Sequence, residues 1–258
     1  MAGDATGLKT AIIAGATGVV GYDLARELAA APDWRVVGVA RNPVAIDGVA
    51  WIKADLGDAA AASQALASCR DATHLFYCAR YPHRIGEPEP VAANLAMLRN
   101  CVEPIEAAGA PLQHVHVVHG TKWYGSTLGP FPTPALEDDA RHPAANFYYA
   151  QQDYLEARVQ TASWRWSTSR PHGLLHTVPH MPRSLPRVLA VYALICRALG
   201  EPLYFPGTPE NFDALYQCTS TDRLARAIRF MATQPHCANQ AFNVTNADYF
   251  RWSRIWPM

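Results

Sequence analysis

The chain has 258 residues, enough for one large hydrophobic core or one core with a small appendage. Half of the residues are hydrophobic and 17% are charged, which excludes an intrinsically disordered chain. Acidic and basic residues balance at 22 each, so no bulk field draws the protein to nucleic acid or to an anionic membrane. No apolar run approaches the ~20 residues of a membrane-spanning helix. Met1–Thr10 is polar and rich in Gly and Ala, without the layout of a secretion signal, and a cytoplasmic location is expected. The six cysteines (Cys69, Cys78, Cys101, Cys196, Cys218 and Cys237) form no Cys-x-x-Cys pair and no zinc spacing. They read as reduced, mostly buried thiols, and no metal is expected.

Strand and helix patterns alternate along the chain, the signature of a parallel sheet covered by helices. Thr10–Ala14 reads as a first strand, followed by Val20, Leu24 and Leu28 at helical spacing. Arg35–Ala40 and Val49–Ala54 follow as strands. Thr73–Cys78 is a continuous apolar run suited to a central strand buried on both faces. A helix is predicted over Asn94–Ala108, a fifth strand over His114–Val118, and a helix capped by Asn146 over Asn146–Gln160. A sixth strand, Trp166–Ser169, is stopped by Pro171. The pattern is an α/β Rossmann-like, doubly wound parallel sheet with helices on both faces. Residues 1–171 form its nucleotide-binding core.

Residues 172–258 read as a small C-terminal, substrate-pocket elaboration of the same domain. Thr177–Arg187 is Pro-rich and irregular. Val188–Leu199 is a strongly apolar helix ended by Gly200, either a buried core element or the face of a homodimer. A short strand is expected over Pro202–Phe205 and a helix over Thr221–Thr233. The Trp-rich end looks like the start of another helix.

The sharpest local signal is Gly15-Ala16-Thr17-Gly18-Val19-Val20-Gly21, between the first strand and its helix. The first glycine permits a tight turn, the second lets backbone approach a pyrophosphate, and the third lets the helix pack against the strand. Free N–H groups and the helix dipole then meet the phosphate charge. The second strand ends at Arg41, where an NAD site usually carries an acid for the ribose hydroxyl. An arginine suits the 2′-phosphate of NADP(H). Asp55, with Leu56 beside it after the third strand, is placed either to bond an adenine or to cap the next helix.

Short-chain dehydrogenases usually carry Tyr and Lys four apart on one helix, and this chain does not. Four residues after Tyr148, Tyr149 and Tyr154 stand Gln152, Asp153 and Arg158. Of three lysines, Lys9, Lys53 and Lys122, only Lys122 lies just past a strand's C-terminal end, where open α/β sheets bind ligands. It precedes a helix that carries Tyr148.

Gly120-Thr121-Lys122-Trp123-Tyr124-Gly125, Asn146-Phe147-Tyr148-Tyr149 and Phe242-Asn243-Val244-Thr245-Asn246 resemble the plant progesterone 5β-reductase and iridoid synthase family. Trp166-Ser167, Arg170-Pro171 and Phe250-Arg251-Trp252 do so too, and the likeness runs from about Lys9 onward. The resemblance implies NADPH-dependent reduction of the activated C=C bond of enones and enals, with Lys122 and Tyr148 as the catalytic pair. Tyr148 would donate a hydrogen bond to the enolate oxygen. Lys122 would favour the anionic form of the tyrosine and orient the ribose. Phe147 and the Val188–Leu199 helix would line or support the pocket. Two residues depart from the family: Gln152 replaces an acid, and Asn42 a second base beside Arg41. Family members continue past the Trp-rich segment, which leaves open a truncated chain with a more open pocket. A carbonyl reductase, a sugar-nucleotide epimerase and a non-catalytic NADP-binding regulator are the competing functions. The first two expect the missing Tyr-x-x-x-Lys helix, and the regulator needs no Lys–Tyr pair.

Overall fold

In the computed structural model, which describes residues 7–82, 86–181 and 184–256, the apolar runs become parallel strands. These are β1 (Lys9–Ala14), β2 (Trp34–Ala40), β3 (Val49–Lys53), β4 (His74–Tyr77), β5 (His114–Val118) and β6 (Arg165–Pro171). Between them run α1 (Val19–Ala29), α2 (Ala59–Leu66), α3 (Val91–Ala107) and α4 (Phe147–Arg158). Beyond β6 come β7 (Leu174–Leu175), α5 (Leu185–Leu199), α6 (Pro209–Asp213), β8 (Leu215–Gln217), β9 (Thr219–Ser220) and α7 (Thr221–Thr233). The last elements are β10 (Gln240–Val244), β11 (Tyr249–Arg251) and α8 (Trp252–Ile255).

The main sheet has seven strands in the order β10-β6-β5-β4-β1-β2-β3, all parallel. The order reverses between β1 and β4, which opens a crevice at their C-terminal ends. α1 and α7 cover one face through Val20, Leu24, Leu28, Leu224, Ile228 and Met231. The other face packs on α2, α3 and α4 through Leu66, Leu98, Val102, Ile105 and Leu155. The portion beyond Pro171 therefore returns to the core, supplying both α7 and the edge strand β10.

Several expectations are corrected. Pro202–Phe205 forms no strand: the Tyr204 N–H turns back onto the Pro202 carbonyl at 3.0 Å, so it is not free to join a ladder. The irregular segment ends earlier than expected. Ser184 accepts the Arg187 N–H and Pro186 sits in the first turn, where its missing N–H costs nothing, so α5 begins at Leu185. Gly200 ends it at φ +69°. α5 is also not a core element: Cys196 is its one buried residue, while Val188, Val191, Leu194, Ile195 and Leu199 are exposed. α2 and β10 were absent from the expected elements. Asp58, not Asp55, caps α2 by accepting the Ala60 and Ala61 N–H groups. All six cysteines are free and all but Cys78 are buried.

One sheet face carries a buried polar ladder. His74 on β4, His114 and His116 on β5, and Ser167 and Ser169 on β6 fall on one face by strand alternation. Ser167 Oγ lies 2.7 Å from His114 Nε2 and 2.8 Å from His116 Nδ1, and Ser169 Oγ lies 3.0 Å from His116 Nε2. A serine has one proton, so it accepts from one imidazole while donating to the other. Burial depresses the basicity of these rings, His74 to about 4 and His114 to about 3, with His116 also well below its usual value. Each ring is neutral in the fold but takes up a proton in the unfolded chain below about pH 6.5. Stability is therefore full above that pH and falls below it, by on the order of 1.4 kcal/mol per pH unit per histidine. Urea midpoints measured at pH about 7.5 and about 5 should show this loss, and His116→Asn should make the dependence shallower.

Candidate active site

The glycine loop fills the β1 side of the crevice. Gly15 has φ +76°, and a β-carbon there would lie 2.9 Å from the Ala79 backbone that follows β4. A β-carbon on Gly21 would meet the Gly15 carbonyl oxygen at 2.3 Å. No side chain larger than hydrogen fits either position, so the start of α1 rides directly on the turn. Gly18 occupies the N-cap without any side-chain hydrogen bond, and no acid stands in the first turn. The N–H groups at this helix end are therefore left for an anion, with Thr17, Gly18 and Val19 partly exposed around them and Val20 buried beneath. The cradle fits a dinucleotide pyrophosphate. His180, from beyond β7, reaches back and donates from Nε2 to the Thr17 carbonyl at 2.7 Å.

Arg41 stands exposed just past β2. Asp55 is exposed past β3 and accepts the Gly57 N–H at 2.9 Å. Leu56 is buried, and its carbonyl accepts from Asn100 at 2.9 Å. These residues line the β2–β3 side of the same sheet edge.

One side chain ties the turn that carries Lys122 to the helix that carries Tyr148. Thr121–Tyr124 is a 3₁₀ turn directly after β5. The Asn146 side chain accepts the Tyr148 N–H at 3.0 Å, capping α4, and donates to the Lys122 carbonyl at 2.8 Å. Tyr149 adds a second staple, donating to the Trp123 carbonyl at 2.5 Å and accepting the His142 N–H at 2.9 Å. A β-carbon on Gly120 would lie 3.3 Å from the Tyr148 hydroxyl and 3.5 Å from the Pro171 carbonyl oxygen. The phenol oxygen thus sits over the C-terminal ends of β5 and β6. The Lys122 ammonium pairs with Glu89 at 2.8 Å and lies 5.6 Å from the centre of the buried Phe147 ring.

The electrostatics correct one expectation. Burial, with the Arg80 charge opposing and the Glu89 carboxylate adding, pushes the Tyr148 hydroxyl up to about 12. The phenol is held protonated rather than drawn toward its anion, chiefly because it is buried, while the Lys122 ammonium is paired with Glu89. Glu89 was not anticipated. Its position in the loop after β4, at another strand's C-terminal end, was the available signal.

Behind the pair stands an aromatic stack. His119 lies between Tyr148 (4.7 Å) and Trp123 (5.9 Å), and burial lowers its basicity strongly. The buried Arg170 guanidinium rests 3.7 Å from the Trp123 ring centre. It donates to the Tyr124 hydroxyl at 2.9 Å, the Glu137 carbonyl at 2.9 Å and the Gln152 side-chain oxygen at 3.3 Å. Tyr124 in turn donates to Asn243 Oδ1 at 2.8 Å. The Arg170-Pro171 and Asn243 segments therefore support the Lys122 turn from behind.

Toward the C-terminal portion, Thr121 is hydrogen-bonded to His172 at 2.7 Å, and His172 packs edge-on against Tyr216 at 4.9 Å. Tyr216 joins Phe250 and Trp252, which with Leu175, Leu189 and Cys218 line an apolar cavity of about 440 Å³. No cluster of His, Cys, Asp and Glu among the described residues is arranged to hold a metal ion. No helix among them is long and apolar enough to cross a membrane.

Comparison with known proteins agrees with this architecture. The PRISE-like Rossmann-fold domain matches residues 44–258. A 3-oxo-Delta(4,5)-steroid 5-beta-reductase of Arabidopsis thaliana is 35% identical over 97% of this chain and 68% of its own length. An (S)-8-oxocitronellyl enol synthase of Nepeta racemosa is 34% identical over 97% of this chain and 68% of its own. The chain thus spans about two thirds of the length of these relatives. Among solved structures, a Thermus thermophilus UDP-glucose 4-epimerase in complex with NAD superposes with a TM-score of 0.73 at 17% identity, covering 95% of this chain and 80% of that one. That likeness is one of fold. With its domain match extending from the β2–β3 loop to the last residue, and with relatives aligned along nearly all of it, the chain belongs to the PRISE-like Rossmann-fold family.

Proposed function

We propose that the chain is an oxidoreductase that reduces the activated C=C bond of an enone or enal by 1,4-addition of hydride from NADPH. The observation that carries this reading is the Asn146 bridge, which ties Lys122 and Tyr148 to one corner of the sheet edge that also bears the glycine cradle. NADPH supplies the hydride when bound. Gly15, Thr17, Gly18, Val19, Val20 and Gly21 hold its pyrophosphate, Arg41 its 2′-phosphate, and Asp55 and Leu56 its adenine end.

Hydride addition at the β-carbon moves negative charge onto the carbonyl oxygen of the substrate. A rigid donor placed at that oxygen in advance lowers the barrier, because nothing must reorganise as the charge appears. The Tyr148 hydroxyl, protonated and buried, is that donor. Lys122 adds positive charge nearby and orients the ribose. The apolar cavity walled by Phe250 and Trp252 takes the hydrocarbon body of the substrate. The exposed apolar face of α5 is the candidate contact for a homodimer.

Tyr148→Phe should lower kcat with a cyclic enone by about 10²–10³-fold while NADPH still binds, read by NADPH oxidation and by fluorescence titration. Equal turnover by the variant removes Tyr148 from the mechanism. NADPH should be oxidised with 2-cyclohexen-1-one but not with the saturated ketone. Arg41→Glu should weaken NADPH binding by about 10–100-fold and leave NADH binding nearly unchanged, as expected for one charge-assisted phosphate contact. Asn146→Ala should cost about 1 kcal/mol of stability through loss of the cap, and should lower kcat as well.

A further inference from the structure

We propose that Glu89 is a positioning residue for this reaction: its carboxylate fixes the Lys122 ammonium beside Phe147 and sets a negative charge against the Arg80 cation at the Tyr148 phenol. The inference rests on the reading of Lys122 and Tyr148 given above.

Glu89 closes the loop after β4, one residue before the Pro90 N-cap of α3. Its side chain is 13% exposed and that of Lys122 is 25% exposed, so the 2.8 Å pair is largely withdrawn from water. A lysine side chain has a flexible four-carbon stem, and its ammonium is a point charge with no preferred orientation. Here the tip is held from two sides, by the Glu89 carboxylate and by the Phe147 ring 5.6 Å away. Asn146 fixes the backbone of Lys122, and Glu89 fixes its charge.

The second role concerns the proton on Tyr148. Three groups bear on that phenol, Arg80 and Glu89 from the β4–α3 loop and the neutral His119 ring from the end of β5, and Lys122 is paired with Glu89. Arg80 favours the phenolate, and Glu89 opposes it. A phenolate cannot donate a hydrogen bond to an enolate, so a phenol that ionised near neutral pH would silence the site. Burial, with Glu89 offsetting Arg80, keeps the proton on the donor well into the alkaline range.

The test uses Glu89→Gln, which keeps the shape and a hydrogen-bond acceptor but removes the charge, and Glu89→Asp, which keeps the charge. Activity toward 2-cyclohexen-1-one and ultraviolet difference titration of tyrosine, each referenced to Tyr148→Phe, are followed from neutral pH to about pH 13. In Glu89→Gln the alkaline loss of kcat and the Tyr148 titration should both move down by about one pH unit or more. Glu89→Asp should keep the wild-type midpoint even if its kcat falls. Lys122→Met, which removes the ammonium paired with Glu89, should move the titration upward, and this variant tests the coupling even if Glu89→Gln does not fold. An unmoved midpoint in Glu89→Gln, or one moved equally by Gln and Asp, overturns the inference. The titration needs neither cofactor nor turnover. A protein inert toward enones but with a Glu89-dependent Tyr148 midpoint would therefore overturn the reductase reading alone.

Discussion

Asn146 makes two hydrogen bonds that no other part of the site can replace. Its side-chain oxygen starts α4 at Tyr148, and its side-chain nitrogen holds the carbonyl of Lys122. In the common short-chain dehydrogenase plan one helix carries both Tyr and Lys, and helical geometry alone sets their spacing. Here the two groups sit on different elements, so a side chain must do what the helix would have done. The Tyr149–Trp123 bond and the Arg170–Trp123 stack reinforce the same junction. The chemistry assigned to this site depends on that junction staying rigid, because a donor displaced by an ångström loses much of its effect on a developing charge.

The cofactor side follows a different logic. Its constraint is empty space: the two glycines at the ends of the loop leave no room for a β-carbon, and the uncapped start of α1 leaves donors without protein partners. A loop built this way gains from an anionic ligand what it forgoes in local satisfaction. Within the sheet, by contrast, the Ser167–His116–Ser169 chain satisfies its polar groups inside the protein. The contrast marks the sheet edge as the functional end and the sheet interior as structural.

Much of this was legible in the chain itself. The strands β1, β2, β4 and β5 announce themselves as apolar runs, and the glycine loop as a spacing between a strand and a helix. Lys122 stood out by its place past the fifth strand, but its pairing with Tyr148 came through resemblance, since it depends on a contact between segments 24 residues apart. Three features escaped, besides the short elements β7, α6, β8, β9 and β11 beyond β6. α2 is Ala-rich with a short apolar stripe, and its cap lies at Asp58 rather than the more conspicuous Asp55. β10 is a short edge strand whose partner, β6, lies about seventy residues earlier. Glu89 belongs to an irregular loop, where no periodicity tells which side chain turns inward. Local pattern reveals elements, and pairings across the sheet must come from the fold.

The partnership of α1 with α7 has a consequence for the order in which the protein can mature. The helix that opens the glycine loop spans residues 19–29, and the helix that covers it spans residues 221–233. Thr221 donates to Asp23, and Arg229 pairs with Glu27, across that separation. During synthesis the apolar stripe of α1 therefore waits, without its lasting cover, until most of the chain has left the ribosome. Such long-range closure is slow and exposes apolar surface along the way, so an emerging chain of this kind is an apt client for a chaperone.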